Sequence, residues 1–364
     1  MAAPRVPVRA PDAVPVRVPF VDLPRLVRRF SARVEGDWAE VLERCEFVGG
    51  PTVARLEARL AEQLGLPHVV GCASGTSALI IALQALGVRA GAKVALPNLT
   101  FWATYEAIAQ LGATPVLVDV DPDDLQLSLG ELRRAHDRER FGFAVLPHLF
   151  GWTSARLREL RALCDERAIA LIEDGAQCFG VEAGGAPVLS GARVATLSFY
   201  PAKVVGGALD GGAILCRDRA DAERARLLCN HGRVSHYSYA HVGWNSRMGG
   251  LQASFVLRAL EELPFILDTR RRALEQYAAF ARAHAIKLHG PPEGVVGNGY
   301  LAVFAARGGD GARLAAELSR RGIGVARTYP ETLDAQPPAR DAVRVGDLAH
   351  GRAFCRAESC ATNT

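Results

Sequence analysis

Between residues 52 and 216, short apolar runs and helical stretches take turns, and that alternation limits the chain to few folds. A run of three to six apolar residues is too short for a buried helix and suits a strand covered on both faces. Such runs stand at 69–72, 94–96, 115–120, 144–147, 169–172, 194–198 and 213–216. The stretches between them have helical spacing. Val53, Leu56 and Leu60 form one stripe in 52–64, and Leu79, Ile80, Leu83 and Leu86 another after Ser74-Gly75-Thr76-Ser77; 104–111 and 155–167 follow. Strand and helix in alternation predict an α/β fold with a mostly parallel central sheet and helices on both faces. Ligands of such sheets gather outside the carboxyl ends of the strands. Past about 255 the pattern changes to longer Arg- and Ala-rich helical stretches. The expected organisation is a disordered extension at 1–17, a large ligand-binding domain over 18–255 and a smaller α/β domain over 256–364.

Composition narrows the chemistry. Of 43 cationic residues only Lys93, Lys203 and Lys287 are lysines, so chemistry that needs a side-chain primary amine has three candidates. A net charge of +4, with no basic run interleaved with aromatics, argues against a nucleic-acid partner. The most apolar stretch, 69–88, is broken by Ser74-Gly75-Thr76-Ser77, so no membrane span is expected. The start is rich in Pro, Val and Arg and lacks the continuous apolar run of a secretory leader. Eight scattered cysteines without a CxxC pair suit free thiols in a reducing cytoplasm. His231, His236 and His241, five apart, share no helix face and have no carboxylate cluster, so no metal is expected.

Four segments that follow apolar runs carry candidate chemistry. Lys203 lies among small and apolar neighbours in Leu197-Ser198-Phe199-Tyr200-Pro201-Ala202-Lys203-Val204-Val205-Gly206-Gly207. Desolvation there disfavours the ammonium and primes the amine for a Schiff base; a surface lysine snorkelling from a loop has the same local sequence. Asp174 ends the run in Leu171-Ile172-Glu173-Asp174-Gly175-Ala176-Gln177. A carboxylate at the sheet's mouth suits the protonated pyridine nitrogen of pyridoxal phosphate (PLP), and Gln177 suits its phenolic oxygen; a strand-end Asp is as readily a helix cap. Ser74-Gly75-Thr76 opens a helix after a strand, where free N–H groups suit a phosphate, with Ser198 adding a hydroxyl; the plainer reading is again a cap. In Thr100-Phe101-Trp102 an aromatic follows a strand and either stacks on a planar ring or joins the core. Together these are the four functions PLP requires. A nicotinamide-binding domain would instead need GxGxxG after the first strand, and that motif is absent there.

With these residues in view the chain resembles the DegT/StrS family of aminotransferases, which make amino sugars and aminocyclitols. The likeness runs from Val18-Pro19-Phe20-Val21-Asp22-Leu23 to about Tyr329. It rests on Ser74-Gly75-Thr76-Ser77-Ala78-Leu79, Glu173-Asp174-Gly175-Ala176-Gln177, Ser198-Phe199-Tyr200-Pro201-Ala202-Lys203 and Gly243-Trp244-Asn245-Ser246-Arg247-Met248. The resemblance implies PLP fold type I and a homodimer with sites at the subunit interface. By position Lys203 matches the Schiff-base lysine, Asp174 the pyridine partner, Gln177 the residue near the ring oxygen and Phe101 the stacking aromatic. Gly75, Thr76 and Ser198 match phosphate ligands, and Asn245 matches the residue that reaches the phosphate from the neighbouring subunit. Relatives that dehydrate sugars carry His at the lysine position, so Lys203 points to transamination. The chain departs from the pattern near Arg327-Thr328-Tyr329-Pro330-Glu331-Thr332-Leu333-Asp334, where Thr328 and Asp334 stand in place of histidines. The family also continues with a strand and helix after 351–355, so a shortened small domain with exposed apolar surface is expected here.

The expected function is therefore a PLP-dependent transfer of an amino group from an amino acid, glutamate by family habit, to a keto sugar linked to a nucleotide. The product would serve amino-sugar biosynthesis for lipopolysaccharide or antibiotic sugars. Two alternatives stay open at this point: an aminotransferase acting on a cyclitol or another ketone, and a non-catalytic binding or regulatory protein that keeps the fold.

Overall fold

The computed structural model describes residues 17–305 and 311–362; of the extension expected at 1–17, all but Arg17 lies outside the described residues. The chain opens with helices α1 (Leu23–Val27), α2 (Ser31–Arg44) and α3 (Pro51–Leu64). The last runs from Gly50-Pro51 to a left-handed Gly65 and buries Val53, Leu56, Leu60 and Leu64, the stop and start residues favoured at those ends. Strands and helices then alternate: β1 (His68–Cys72), α4 (Gly75–Ala85), β2 (Lys93–Pro97), α5 (Trp102–Gln110), β3 (Thr114–Val118), α6 (Leu129–Glu139), β4 (Phe143–Pro147), α7 (Leu157–Glu166) and β5 (Ala170–Asp174). Each of these strands is buried at four of five positions, as a sheet covered on both faces demands. Two short strands, β6 (Glu182–Ala183) and β7 (Ala186–Pro187), lead to β8 (Val194–Ser198), β9 (Gly212–Cys216) and α8 (Arg219–Cys229).

The central sheet has eight strands in the order β1-β9-β8-β5-β4-β2-β3-β15, where β15 is Val343–Arg344. Seven run in one direction and β9 runs against both neighbours, with Cys72↔Gly212 and Ser198↔Gly212 in register. The reversal has a simple cause. The segment 199–211 that carries Lys203 forms no helix, and without a crossover helix a strand returns beside its predecessor antiparallel. The chain leaves β2 to one side for β3 and returns on the other for β4. That reversal opens a crevice at the carboxyl ends of β2 and β4, the place where such sheets bind ligands. One apolar core, with α2, α3, α7 and the later α9 (Gly250–Glu261), covers one face; a second, with α4, α5 and α8, covers the other.

An exposed hairpin, β10 (Arg233–Ser235) with β11 (Ser238–Tyr239), precedes α9, and α10 (Leu263–Ala283) follows it. Strands β12 (Lys287–His289), β14 (Ala302–Ala305) and β16 (Glu358–Thr362) form a small antiparallel sheet, with β13 (Val295–Val296) between the first two in sequence. Helices α11 (Gly311–Arg320) and α12 (Ala349–Ala357) complete the set. The shortening expected after 355 is corrected in one respect: a strand does follow, β16, and it pairs with β14 through Val303↔Ala361. Segments beyond 256 also thread back, since β15 joins the central sheet beside β3 and β13 pairs with β6. Among the described residues no helix is long and apolar enough to cross a membrane. Cys45, Cys72, Cys164, Cys178, Cys216, Cys229 and Cys355 are free.

Candidate active site

A cavity of about 460 Å³ opens at the crevice between β2 and β4, within the ~300–1,000 Å³ usual for small-molecule sites. Seven of the eight residues singled out in the sequence line it: Gly75, Thr76, Phe101, Asp174, Gln177, Ser198 and Lys203. They come from the ends of β1, β2, β5 and β8. Asn245 does not line it. It is exposed and forms a bridge with Asn230 beside the hairpin.

One end of the cavity is the start of α4. Ser74 caps this helix, its hydroxyl accepting from Ser77 N at 3.0 Å. The cap and the anion site therefore coexist, because the N–H groups of Gly75 and Thr76 keep no partner within the helix. The turn is bare and tightly packed. A Cβ on Gly75 would lie 2.7 Å from Ser198 Cβ, and one on Gly212 would lie 2.3 Å from the Ser74 carbonyl oxygen. The Ser198 hydroxyl thus stands over the two free N–H groups, a cradle for a phosphate.

Asp174 forms the floor. It is buried, and Ala176 N donates to its Oδ1 at 3.0 Å. Burial pushes its carboxyl up; the Ala176 N–H, the charges of Lys203 and His148, and the Thr104 hydroxyl pull the other way without cancelling the rise. Thr104 is held in turn at 3.2 Å from Thr100. Beside Asp174 lies a second buried group. Arg161 grips Glu173 with two bonds of 2.7 and 2.8 Å, and His148 Nε2 reaches the same carboxylate at 3.0 Å. Burial raises the Glu173 carboxyl, yet the bonds from His148 and Arg161 outweigh that and leave it below the usual range. This cluster ties β4 to β5 and, through His148 N donating to the Asp174 carbonyl at 3.0 Å, fixes the backbone of the floor.

Gln177 is held in one orientation. Phe150 N donates to its Oε1 at 2.6 Å, so its amide nitrogen faces the other way, where it donates to the Tyr329 hydroxyl at 2.8 Å. Gln177 lines the cavity, and its amide nitrogen carries a second N–H that suits a phenolate oxygen. Phe150 and Tyr329 both hold left-handed backbone angles, φ 64° and 68°, a strain that collects at functional sites. The Lys203 amine is half-buried, 5.4 Å from the centre of the Tyr300 ring, within cation–π range. Phe101 stands at the rim with 59% of its surface exposed, an uncovered aromatic face.

The altered segment splits in two. Thr328 lines the cavity, but Asp334 is turned into a network with Asn98 (2.7 Å), Thr332 (2.7 Å) and Arg352. Those bonds hold its carboxyl below the usual range although burial raises it. Asp334 is thus a strut, and the place of a family histidine is taken by structure. Sequence reasoning missed Thr104, His148, Tyr300 and Tyr329. His148 directly follows an apolar run and was open to the strand-end rule; Tyr300 and Tyr329 come from loops with no period to read.

An amine, a buried carboxylate beside hydroxyls, a donor amide, an exposed ring and a bare helix start are the functions that PLP requires. Comparison with known proteins agrees with this chemistry. The sequence model of the DegT/DnrJ/EryC1/StrS aminotransferase family matches residues 31–360. The chain is 33% identical over 336 residues to UDP-2-acetamido-2-deoxy-3-oxo-D-glucuronate aminotransferase of Pseudomonas aeruginosa, covering 91% of this chain and 92% of that one. It is 34% identical over 345 residues to dTDP-3-amino-3,4,6-trideoxy-alpha-D-glucose transaminase of Streptomyces venezuelae, with 93% and 89% covered. The crystal structure of ntda from Bacillus subtilis with bound cofactor PMP superposes with a TM-score of 0.85 at 25% identity, covering 97% of this chain and 81% of that one.

Proposed function

From the chain's membership of the DegT/DnrJ/EryC1/StrS aminotransferase family, we propose that this enzyme holds PLP on Lys203 and moves an amino group from an amino acid, glutamate, to a nucleotide-linked keto sugar for amino-sugar biosynthesis. The observation that carries the reading is the convergence of Lys203, Asp174, Gln177 and the Gly75–Ser198 cradle on one cavity. We assign the roles residue by residue. The N–H groups of Gly75 and Thr76 and the Ser198 hydroxyl hold the phosphate, and Asn245 completes that end from the partner in a homodimer. Phe101 covers one face of the ring. Asp174 faces the ring nitrogen, whose positive charge favours the ionised carboxylate against its burial. The free N–H of Gln177 serves the ring oxygen.

When bound, PLP supplies an electron sink for the bond broken at the donor's α carbon. Lys203 is the base and acid of the site. Its Nζ would be the group that takes up and returns the proton at the donor's α carbon once PLP is held in the cavity. Tyr300 packs beneath that amine, its ring centre 5.4 Å from Nζ. The named relatives act on sugars carrying different nucleotides, and their likeness supports an acceptor of that class.

An absorbance spectrum of the purified protein, then borohydride reduction and peptide mapping, tests the reading. A yellow band that becomes a stable adduct on Lys203 is expected, and Lys203→Ala should lose turnover by at least ~10²–10⁴-fold. A protein that stays colourless with added PLP overturns it. Nucleotide-linked keto sugars assayed beside free cyclitol ketones identify the acceptor class.

A further inference from the structure

Asn298 lies outside the cavity and was not among the residues any sequence pattern singled out, yet it is fully buried and every hydrogen-bonding atom of its amide is used. Its Nδ2 donates to the carbonyl of Gln177 at 2.9 Å and to that of Phe179 at 3.0 Å. Its Oδ1 accepts from Tyr300 N at 2.8 Å, and its own backbone N donates to the Gly151 carbonyl at 3.1 Å. The orientation of the amide is forced, since a flip would set an acceptor against two carbonyls. Gly151 makes room for it. At φ 98° it takes an angle that suits glycine, and a Cβ there would fall 2.2 Å from Asn298 Oδ1.

The three segments joined at Asn298, two through its side-chain amide and 150–151 through its backbone N–H, each carry one part of the site. Gln177 offers the donor toward the ring oxygen. Phe150, next to Gly151, supplies the N–H that orients the Gln177 side chain. Tyr300 lies under the Lys203 amine. These segments are far apart in sequence, and beside the Asn298 bonds the backbone ties between them are the two-residue β6–β13 pair and Leu301 N donating to the Phe150 carbonyl at 3.3 Å. We propose that Asn298 is a positioning residue that holds the ring-oxygen side of the site, Gln177, and the amine side, Tyr300 with Lys203, in one fixed relation. The inference rests on the PLP reading above. Its chemical content is that the environment of the lysine-bound chromophore, and not only the stability of the fold, depends on one buried amide.

Asn298→Asp keeps the shape and removes both donors, and Asn298→Ala removes all three side-chain bonds while keeping the backbone bond to Gly151. Both are reconstituted with PLP and compared with the parent by circular dichroism, by PLP titration, by the visible spectrum from pH 5 to 10 and by kinetics of the glutamate half-reaction. Folded variants should bind PLP about 10–100-fold more weakly, the range seen when a partner behind a first contact is removed. The pH midpoint of the chromophore should move by about half a unit or more, and kcat should fall about tenfold with KM changed by less than ~2-fold. A folded variant with the parent's spectrum and midpoint at every pH overturns the proposal, however much its melting temperature falls. If neither variant folds, hydrogen exchange of the parent decides. Adding PLP should slow exchange of the Tyr300 amide, which bonds Asn298 Oδ1, and an unchanged rate overturns the coupling. A parent that takes up no PLP at all is a different result, and it sinks the cofactor reading itself.

Discussion

Asp174 shows what a site residue costs the empty protein. Its carboxyl is raised by burial above the ordinary 3.8, so the folded state holds its proton more tightly than the unfolded chain. Below pH ~4 both states are protonated and the residue is neutral in its effect. As pH rises through the folded value, the buried charge forms and the cofactor-free protein loses stability. Asp174→Asn has no such loss. Its cofactor-free form should melt higher than the parent at pH 8, and the gap should close as pH falls below ~4, while kcat drops by at least ~10²-fold. A melting curve that differs equally at both pH values would remove burial of charge as the reason. The same residue marks what was readable in advance. Lys203, Asp174 and Ser198 were legible because each ends or follows an apolar run, and strand ends are where such sheets bind. Thr104, facing inward from α5, was not, because a threonine on a helix has the same sequence context whether it bonds a carboxylate or its own backbone.

The elements were legible where burial writes itself into composition. The runs at β1 to β5, β8 and β9 gave their strands within a residue or two, and the helical stripes gave α3 and α4. The polar α6 was not read, since only Leu132, Ala135 and His136 of its eleven residues are buried. The direction of β9 was equally hidden, because a fully buried strand looks the same read either way. The functional weight of the β1–α4 turn is open to test. Gly75→Ala would drive a methyl to within 2.7 Å of Ser198 Cβ, forcing apart the two sides of the phosphate cradle. PLP affinity should fall by about tenfold or more, the size of one charge-assisted contact, with the far-UV spectrum unchanged. Retained affinity would move the phosphate elsewhere in the cavity.

Across the whole molecule, Asn245 and the exposed hairpin raise the question of what faces them. Phe47, Val48, Tyr237, Tyr239 and Val242 are all exposed large apolar side chains, more than a surface leaves uncovered without use. In the proposed homodimer Asn245 serves the partner's site, so Lys203→Ala and Asn245→Ala should complement. Unfolded, mixed and refolded together, the two weak variants should recover about a quarter of parent activity, since half the dimers are mixed and one site of two in each is intact. No recovery above the separate variants would place Asn245 in its own subunit's site or outside any. The wiring of the sheet has one more consequence. The cavity draws on turns from Ser74 to Lys203, and then on Tyr300 and Tyr329, so no stretch of nascent chain emerging early from a ribosome contains it. A ligand that touches all of these segments is held in full only after the last of them has joined the fold. Contacts of such long sequence separation are slow to form, and vitamin supply should therefore govern how long the finished protein survives, leaving the rate at which it is made untouched.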